Sequence, residues 1–89
     1  MMQWKIKDGC VERCVKKFTS TGAPLPEGCT QVFRYHAPGS SNGWLVVETD
    51  DILKVYIHAS EWGEFLEWKI TPVLTDEQAG IGCKTAWSI

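Results

Sequence analysis

Three residues of one predicted β-hairpin carry side chains suited to proton transfer or anion binding: Arg34, His36 and Glu48. Histidine side chains titrate at about pH 6.5, so an imidazole can accept or donate a proton near neutral pH. A carboxylate such as Glu48 can orient the imidazole or act as the base, and a guanidinium such as Arg34 can bind a carboxylate or enolate oxygen. These residue types would suit chemistry on a small acidic or carbonyl compound.

The alternation of residues along the hairpin places these three side chains together. Strand-like runs with a turn-rich connection between them predict two strands, at 30–37 and 44–49. Successive strand side chains point to opposite faces, so Arg34 and His36 share one face. If His36 pairs with Trp44, then Trp44 and Glu48 lie on that face too, which is then too polar for an ordinary core. A one-residue slip would reverse the faces.

Four further elements are predicted along the chain. Helical spacing of apolar residues and strand-like alternation give, in order, a strand at 2–7, a helix at 10–18, a second helix at 52–61 and a last strand at 65–73. A loop at 19–28 follows the first helix, and a short helical turn is expected at 76–79. The tail at 80–89 has no assigned role. His58 is expected on an exposed or partly covered flank of the second helix.

The resulting order is β-α-β-β-α-β, which predicts an α+β, ferredoxin-like fold. In this fold a four-stranded antiparallel sheet carries both helices on one face. The other face would then expose Trp44 and Val46 as an apolar patch, which monomers rarely do. Two sheets pairing face to face would cover it, so we expect a homodimer.

Length and composition exclude several classes of protein. The 89 residues are enough for one domain, and 44% hydrophobic with 22% charged residues is ordinary for a globular chain. A net charge of −2 and a pI near 5.6 give no basic surface for nucleic acid, so we expect no nucleic-acid partner. No apolar stretch approaches the roughly 20 residues of a membrane helix, and 1–8 lacks the pattern of a signal peptide. We therefore expect a cytoplasmic protein without a membrane partner.

The cysteines and the absence of cofactor motifs favour a site without metal or cofactor. In a reducing compartment the four cysteines are expected to be free thiols: Cys10, Cys14, Cys29 and Cys83. The C-x-x-x-C spacing of the first two has no second pair, so zinc is not expected. There is also no glycine-rich nucleotide motif and no H-E-x-x-H metal motif.

Several short motifs, in order, resemble one family. They are G-x-P-x-P-x-G at 22–28, R-Y-H at 34–36, Gly43, E-T-D-D at 48–51, Trp62, T-P-V at 71–73 and D-E at 76–77. Together they look like the domain of unknown function 3303 family over residues 2–79. We treat the tail, which departs from this pattern, as part of the same domain, 1–89.

The resemblance implies a place in the dimeric α/β-barrel superfamily, whose members include cofactor-free monooxygenases, lactone isomerases and stress-responsive proteins. In such a dimer the bare sheet faces would enclose a barrel. On the pairing above, Arg34, His36, Trp44 and Glu48 would line it, and Trp44 and Trp62 would form apolar walls for a ligand. His36 and Glu48 are then the candidate catalytic residues, with Arg34, Trp44 and Trp62 as candidate ligand contacts. The family itself carries no established activity.

A structural interpretation stands beside the functional one. Arg34 and Glu48 could form an ion pair across the dimer interface with His36 at its edge, because buried charges need partners whatever the function. The protein would then be a non-catalytic dimerisation or protein-interaction domain. A solvent-connected cavity of roughly 300 Å³ or more, lined by His36 and Glu48, would favour a small-molecule site instead.

Overall fold

The computed structural model describes residues 1–88, and Ile89 lies outside the described residues. Seven elements follow one another: β1 Met2–Ile6, α1 Val11–Thr21, β2 Thr30–His36, β3 Asn42–Glu48, α2 Ile52–Glu61, β4 Leu66–Ile70 and α3 Asp76–Trp87. The strands form one antiparallel sheet in the order β2-β3-β1-β4. The predicted α+β, ferredoxin-like fold is confirmed, with a third helix added at the end.

The first helix is longer than its apolar pattern predicts, and the predicted loop at 19–28 is correspondingly shorter. The hydroxyl groups of Thr19, Ser20 and Thr21 each donate to the backbone carbonyl four residues earlier, at 2.9, 2.7 and 2.8 Å. The helix ends at Gly22, whose left-handed φ of 72° lets its N–H reach the carbonyl of Phe18. α2 keeps its predicted bounds, with Asp51 as the N-cap that accepts from the N–H of Leu53.

The segment after β4 is a full helix and not the short turn predicted at 76–79. It begins with a capping box, in which Thr75 and Gln78 each accept from the other's backbone N–H. Gly80 and Gly82 disfavour helix by about 1 kcal/mol each, which is why the sequence pattern stops early. Every described residue of α3 is exposed.

The predicted pairing of the hairpin is wrong by one residue. Trp44 pairs with Tyr35, and Leu45 pairs with Arg34. Because side chains alternate, Arg34 and His36 point to the face that the helices cover, on the side of Leu45. The sequence predicted these two side chains on the opposite face, which the helices leave bare.

A tighter turn than the sequence suggests explains the slip. The N–H of Ala37 donates to the carbonyl of Asn42 at 2.9 Å, and the N–H of Ser40 donates to the carbonyl of Ala37 at 2.8 Å. Left-handed backbone at Gly39 and Ser40, with φ of 84° and 58°, closes this turn. β3 therefore begins at Asn42, before the predicted start at residue 44.

Glu48 and Trp44 consequently lie away from Arg34 and His36. They lie one and three residues from Leu45 along β3, so their side chains point to the face opposite that of Leu45. This is the bare face, which Tyr35 shares. A bulge between Gln31 and Phe33 then adjusts the pairing so that Glu48 lies opposite Thr30. The predicted single face with Arg34, His36 and Glu48 does not exist within one chain.

The core lies between the covered face of the sheet and the two helices α1 and α2. Its buried apolar residues are Met2, Trp4, Ile6, Cys10, Cys14, Ala23, Leu45, Trp62, Phe65 and Leu66. Gly43 is required by this packing, because a Cβ there would lie 2.2 Å from Cζ2 of Trp4. The indole of Trp4 thus lies directly on the backbone of β3.

The bare face carries large aromatic side chains without cover from residues 1–88. Tyr35 is 64% exposed and Trp44 is 37% exposed. Phe33 and Tyr35 stack with ring centroids 5.0 Å apart and planes 14° apart. Within the same residues, the structure contains no helix with the length and apolar character needed to span a bilayer.

Candidate functional site

A cavity of about 250 Å³ lies between the covered face of the sheet and helices α1 and α2. Its walls are largely aromatic and aliphatic. The aromatic side chains are Trp4, Phe18, Trp62 and Trp68, and the nitrogen-bearing polar side chains are Arg34, His36 and His58. Apolar walls with a few convergent polar groups are typical of small-molecule sites.

The cavity gathers three of the five residues that the sequence proposed for a site. Arg34, His36 and Trp62 line it, whereas Trp44 and Glu48 do not. The location also differs from the predicted one, because the cavity lies beneath the helices and not in the interior of a barrel between two sheets. The roles of these residues are predictions, whereas the structure shows that Arg34, His36 and Trp62 lie around one cavity.

Arg34 belongs to β2, and its guanidinium reaches the C-terminal end of α1, where it binds backbone carbonyl groups. Nη2 donates to the carbonyl of Ala23 at 2.9 Å, and Nη1 donates to the carbonyl of Gly22 at 3.4 Å. Its Cζ is 6.0 Å from the ring centroid of Phe18. The side chain is half-buried, and this burial lowers the pKa of Arg34 from its ordinary value.

No acidic side chain among residues 1–88 forms an ion pair with this guanidinium. The ion pairs formed among residues 1–88 are Arg13 with Glu64 and Lys16 with Glu12, both on the surface. Among the described residues that line the cavity, none is an aspartate or glutamate, and Arg34 carries the only permanent charge. The cavity is therefore electropositive.

His36 lies at the mouth of the cavity, between two aromatic rings. Its ring centroid is 5.2 Å from that of Trp4 and 5.2 Å from that of Phe18, in edge-to-face arrangements with interplanar angles of 72° and 60°. The residue is nevertheless exposed to solvent. Its position suits exchange of a proton between the cavity and water.

His58 is the site residue that the sequence analysis missed. The expected exposed flank is wrong: His58 is 3% exposed, and it lines the cavity. Its Nδ1 is buried and has no hydrogen-bond partner among residues 1–88. Burial is the main cause that lowers the pKa of His58, the positive charges of Arg34 and Lys17 add to it, and Glu61 opposes them. These influences together favour the uncharged form of the His58 imidazole.

A signal for His58 was present in the helix pattern. Val55, His58, Ala59 and Trp62 recur at intervals of three and four residues, and this is the inward stripe of α2. A second stripe, on the outer side of α2, is exposed throughout: Leu53, Tyr56, Ile57 and Ser60. Apolar residues on both sides of α2 hid the histidine.

Cys14 adds a thiol to the cavity wall. It is buried, and burial together with the neighbouring Cys10 raises the pKa of its thiol, with Lys17 opposing them. A thiol with a raised pKa is rarely ionised and is a weak nucleophile, so we assign Cys14 to the cavity wall and not to the chemistry. Cys10, Cys14, Cys29 and Cys83 are all free.

Trp62 closes the cavity from the side of α2. It is buried, and the Nζ of Lys17 lies 4.5 Å from its ring centroid while donating to the carbonyl of Glu61. Trp68 on β4 is held by a hydrogen bond instead, because its indole N–H donates to the carbonyl of Ala59 at 3.1 Å. These contacts hold two walls of the cavity in place.

A known protein family matches most of this chain. The family model described as Domain of unknown function (DUF3303) matches residues 1–85. The match extends past residue 79, where the sequence resemblance ended, and covers α3 as far as residue 85. No curated protein and no solved structure matches this chain.

Proposed function

The chain belongs to the domain of unknown function family DUF3303, and from its own geometry we propose that it binds a compact, largely apolar anion in the cavity beneath the helices. One observation carries the proposal: the half-buried guanidinium of Arg34 faces an aromatic cavity that has no acidic side chain among its described lining residues. Buried charges in folded proteins are normally paired. A ligand carboxylate or enolate would be the missing partner.

The hydrogen-bonding capacity of Arg34 is consistent with this role. A guanidinium has five N–H donors, and the backbone carbonyls of Gly22 and Ala23 use two of them. Those carbonyls orient the group without cancelling its charge. The remaining donors have no partner among residues 1–88, so they can bind an anion in a charge-assisted contact.

The size and walls of the cavity restrict the ligand. The cavity does not meet the mark set above for a small-molecule site, because its volume is about 250 Å³ and not roughly 300 Å³ or more, and because Glu48 does not line it. Any ligand must therefore be smaller than a usual drug-sized molecule. Trp4, Phe18 and Trp62 favour a planar, apolar body.

In a catalytic version of this proposal, His36 is the proton acceptor and Arg34 stabilises the developing enolate. A carbonyl compound with an acidic C–H could then be isomerised without a cofactor, or react with oxygen after enolate formation. Glu48, the other predicted catalytic residue, lies on the bare face, so we assign the chemistry to Arg34 and His36.

Binding of benzoate, followed by chemical shifts in two-dimensional NMR, tests the proposal. Replacing Arg34 with glutamine removes a charge-assisted contact worth about 1.5 to 3 kcal/mol, so we expect affinity to fall roughly tenfold to a hundredfold. Arg13→Gln is the matched control, because Arg13 is exposed and paired with Glu64 outside the cavity. Equal benzoate affinity in the two variants would refute an anion site at Arg34.

A second candidate function is self-association through the bare sheet face. Phe33, Tyr35 and Trp44 form an uncovered aromatic surface there, and a second copy related by a two-fold axis would bury it. This is the homodimer, with its dimeric α/β barrel, that the sequence suggested. Because the cavity lies on the other face, dimerisation and ligand binding are compatible.

A further inference from the structure

The last helix, α3, lies apart from the rest of its own chain. All of its described residues are exposed. Its hydrogen bonds remain within 75–87, and neither ion pair of residues 1–88 includes it. The chain is 52 Å long and 17 Å thick, and its radius of gyration is 15.5 Å, where about 12 Å is usual for a compact domain of this length. α3 therefore projects from the body of the domain.

A projecting helix of this composition requires a surface to pack on. Isolated helices shorter than about 12 to 15 residues are marginal in water even when they are rich in alanine. α3 has 12 residues, and Gly80 and Gly82 each disfavour helix by about 1 kcal/mol. Its large apolar side chains are also uncovered, with Ile81 62% and Trp87 76% exposed. Residues 1–88 of the same chain supply no cover for them.

The charges of the bare sheet face complement those of α3. On the half formed by β1 and β4, this face carries Lys5 and Lys69 with one carboxylate, Glu67. The first turn of α3 carries Asp76 and Glu77. Opposite charges on two apolar surfaces favour their pairing in one orientation.

The outer side of α2 is the other large apolar surface that is exposed, and its charges do not suit α3. Asp50 and Asp51 lie at the start of this helix and Glu61 lies at its end, all exposed. They would repel the acidic first turn of α3. The bare face is therefore the better match.

The size of the bare face also calls for α3. The four strands have 5, 7, 7 and 5 residues, and alternate residues face the bare side, so this face offers about 12 residues. Each partner of a stable interface contributes roughly 20 to 30 residues. The 12 residues of α3 bring the contribution of one copy into that range. Two bare faces paired without α3 would form an interface of about half the usual size.

We propose that α3 is an exchanged arm, which packs in a two-fold dimer against the bare sheet face of the second copy. A two-fold axis makes the exchange reciprocal, so one arrangement covers both helices and both bare faces. This inference rests on the self-association put forward above and identifies the element that carries it. The family match reaches residue 85, so α3 and the sheet belong to the same family domain.

Cysteine cross-linking between two co-expressed chains tests the exchange. α3 carries an exposed thiol, Cys83, in the wild-type chain. The second chain combines Cys83→Ser with Val46→Cys, which places its thiol on the bare face, so a link from 46 to 83 can form only between copies. With a short bismaleimide we expect this link in the covalent dimer. It should be lost in the matched control, Tyr56→Cys with Cys83→Ser, whose new thiol lies on the outer side of α2.

The outcomes separate the exchange from self-association itself. A dimer in native mass spectrometry without the link from 46 to 83 overturns the exchange and leaves self-association standing. A link from 83 to 56 in place of 46 also overturns it, because α3 would then lie on α2 of the second copy. A protein that is monomeric at all concentrations overturns both.

Hydrogen exchange of the unmodified protein gives a second measurement, which needs no variant to fold. Dilution that dissociates the dimer should remove the protection of the backbone amides of α3 and leave those of α1 protected, because α1 packs on the core of its own chain through Cys14. Protection of α3 that does not change with protein concentration would show that the helix packs within its own chain, and the exchange would be wrong.

Discussion

The two faces of this sheet are built from alternate residues of the same strands, yet they have opposite environments. On the covered face Leu45 is 1% exposed and packs in the core, while on the bare face its neighbour Trp44 is 37% exposed. In β2 the usual pattern is reversed, since Arg34 and His36 point to the covered side and Tyr35 points to the bare side. The polar residues that face inward line the cavity, and the apolar residues that face outward form an exposed aromatic surface.

The largest expected effect concerns packing at neighbouring positions of β3. Leu45→Ala removes a fully buried side chain, so we expect the free energy of unfolding to fall by about 2 to 5 kcal/mol. Val46→Ala on the bare face is the matched control and should cost less than about 1.5 kcal/mol in the monomer. Urea unfolding at equal protein concentration measures both. Equal losses would contradict the assignment of faces.

A smaller effect is expected from His58 as the pH changes. Its pKa is lowered in the folded protein, mainly by burial and also by the positive charges of Arg34 and Lys17, against the opposing charge of Glu61. Below about pH 6.5 the unfolded chain therefore binds a proton that the folded chain does not. The free energy of unfolding decreases as the pH is lowered through this range. One such proton gives a slope of at most about 1.4 kcal/mol per pH unit, and the contribution is fully present above pH 6.5.

The difference between the wild-type protein and His58→Phe isolates this contribution. Urea unfolding from pH 7.5 to 5.0 should show the wild-type protein losing more stability than the variant, with all other titrating groups common to both. Parallel curves would mean that water reaches His58 in the folded state, and α2 would then not shield the covered face of the sheet from solvent.

The types and order of the main elements could be predicted from periodicity, but their relation to one another could not. Strand alternation correctly put Arg34 and His36 together, because it is a local property. The partner strand depends on the turn, and the compact turn at Gly39 and Ser40 shifts the pairing by one residue. That single step moved Trp44 and Glu48 to the other face.

The helices show why the candidate site was only partly predictable. α2 is apolar on its outer side, at Leu53 and Tyr56, as well as on its inner side, so periodicity alone did not identify the side that carries His58. In α3 the capping box at Thr75 and Gln78 was readable, while two glycines argued against continuation. Tertiary packing selected the buried stripe in one case, and local capping extended the helix in the other.

The smallest expected effect on folding of the single chain comes from the bare face, and it is the one that tests association. Tyr35→Lys replaces a side chain that is 64% exposed, so the stability of the monomer should change by less than about 0.5 kcal/mol. Tyr56→Lys is the matched control, since Tyr56 is 70% exposed but lies on α2, in the helical layer.

Native mass spectrometry distinguishes a sheet-face dimer from every other arrangement. The wild-type protein and Tyr56→Lys should be dimers, whereas Tyr35→Lys places two like charges at a buried two-fold interface and should be a monomer. A monomeric wild-type protein would remove the bare face as an interface. A dimer that survives Tyr35→Lys and dissociates with Tyr56→Lys would place the interface on the helices, where it would cover the layer that encloses the cavity and make ligand entry depend on association.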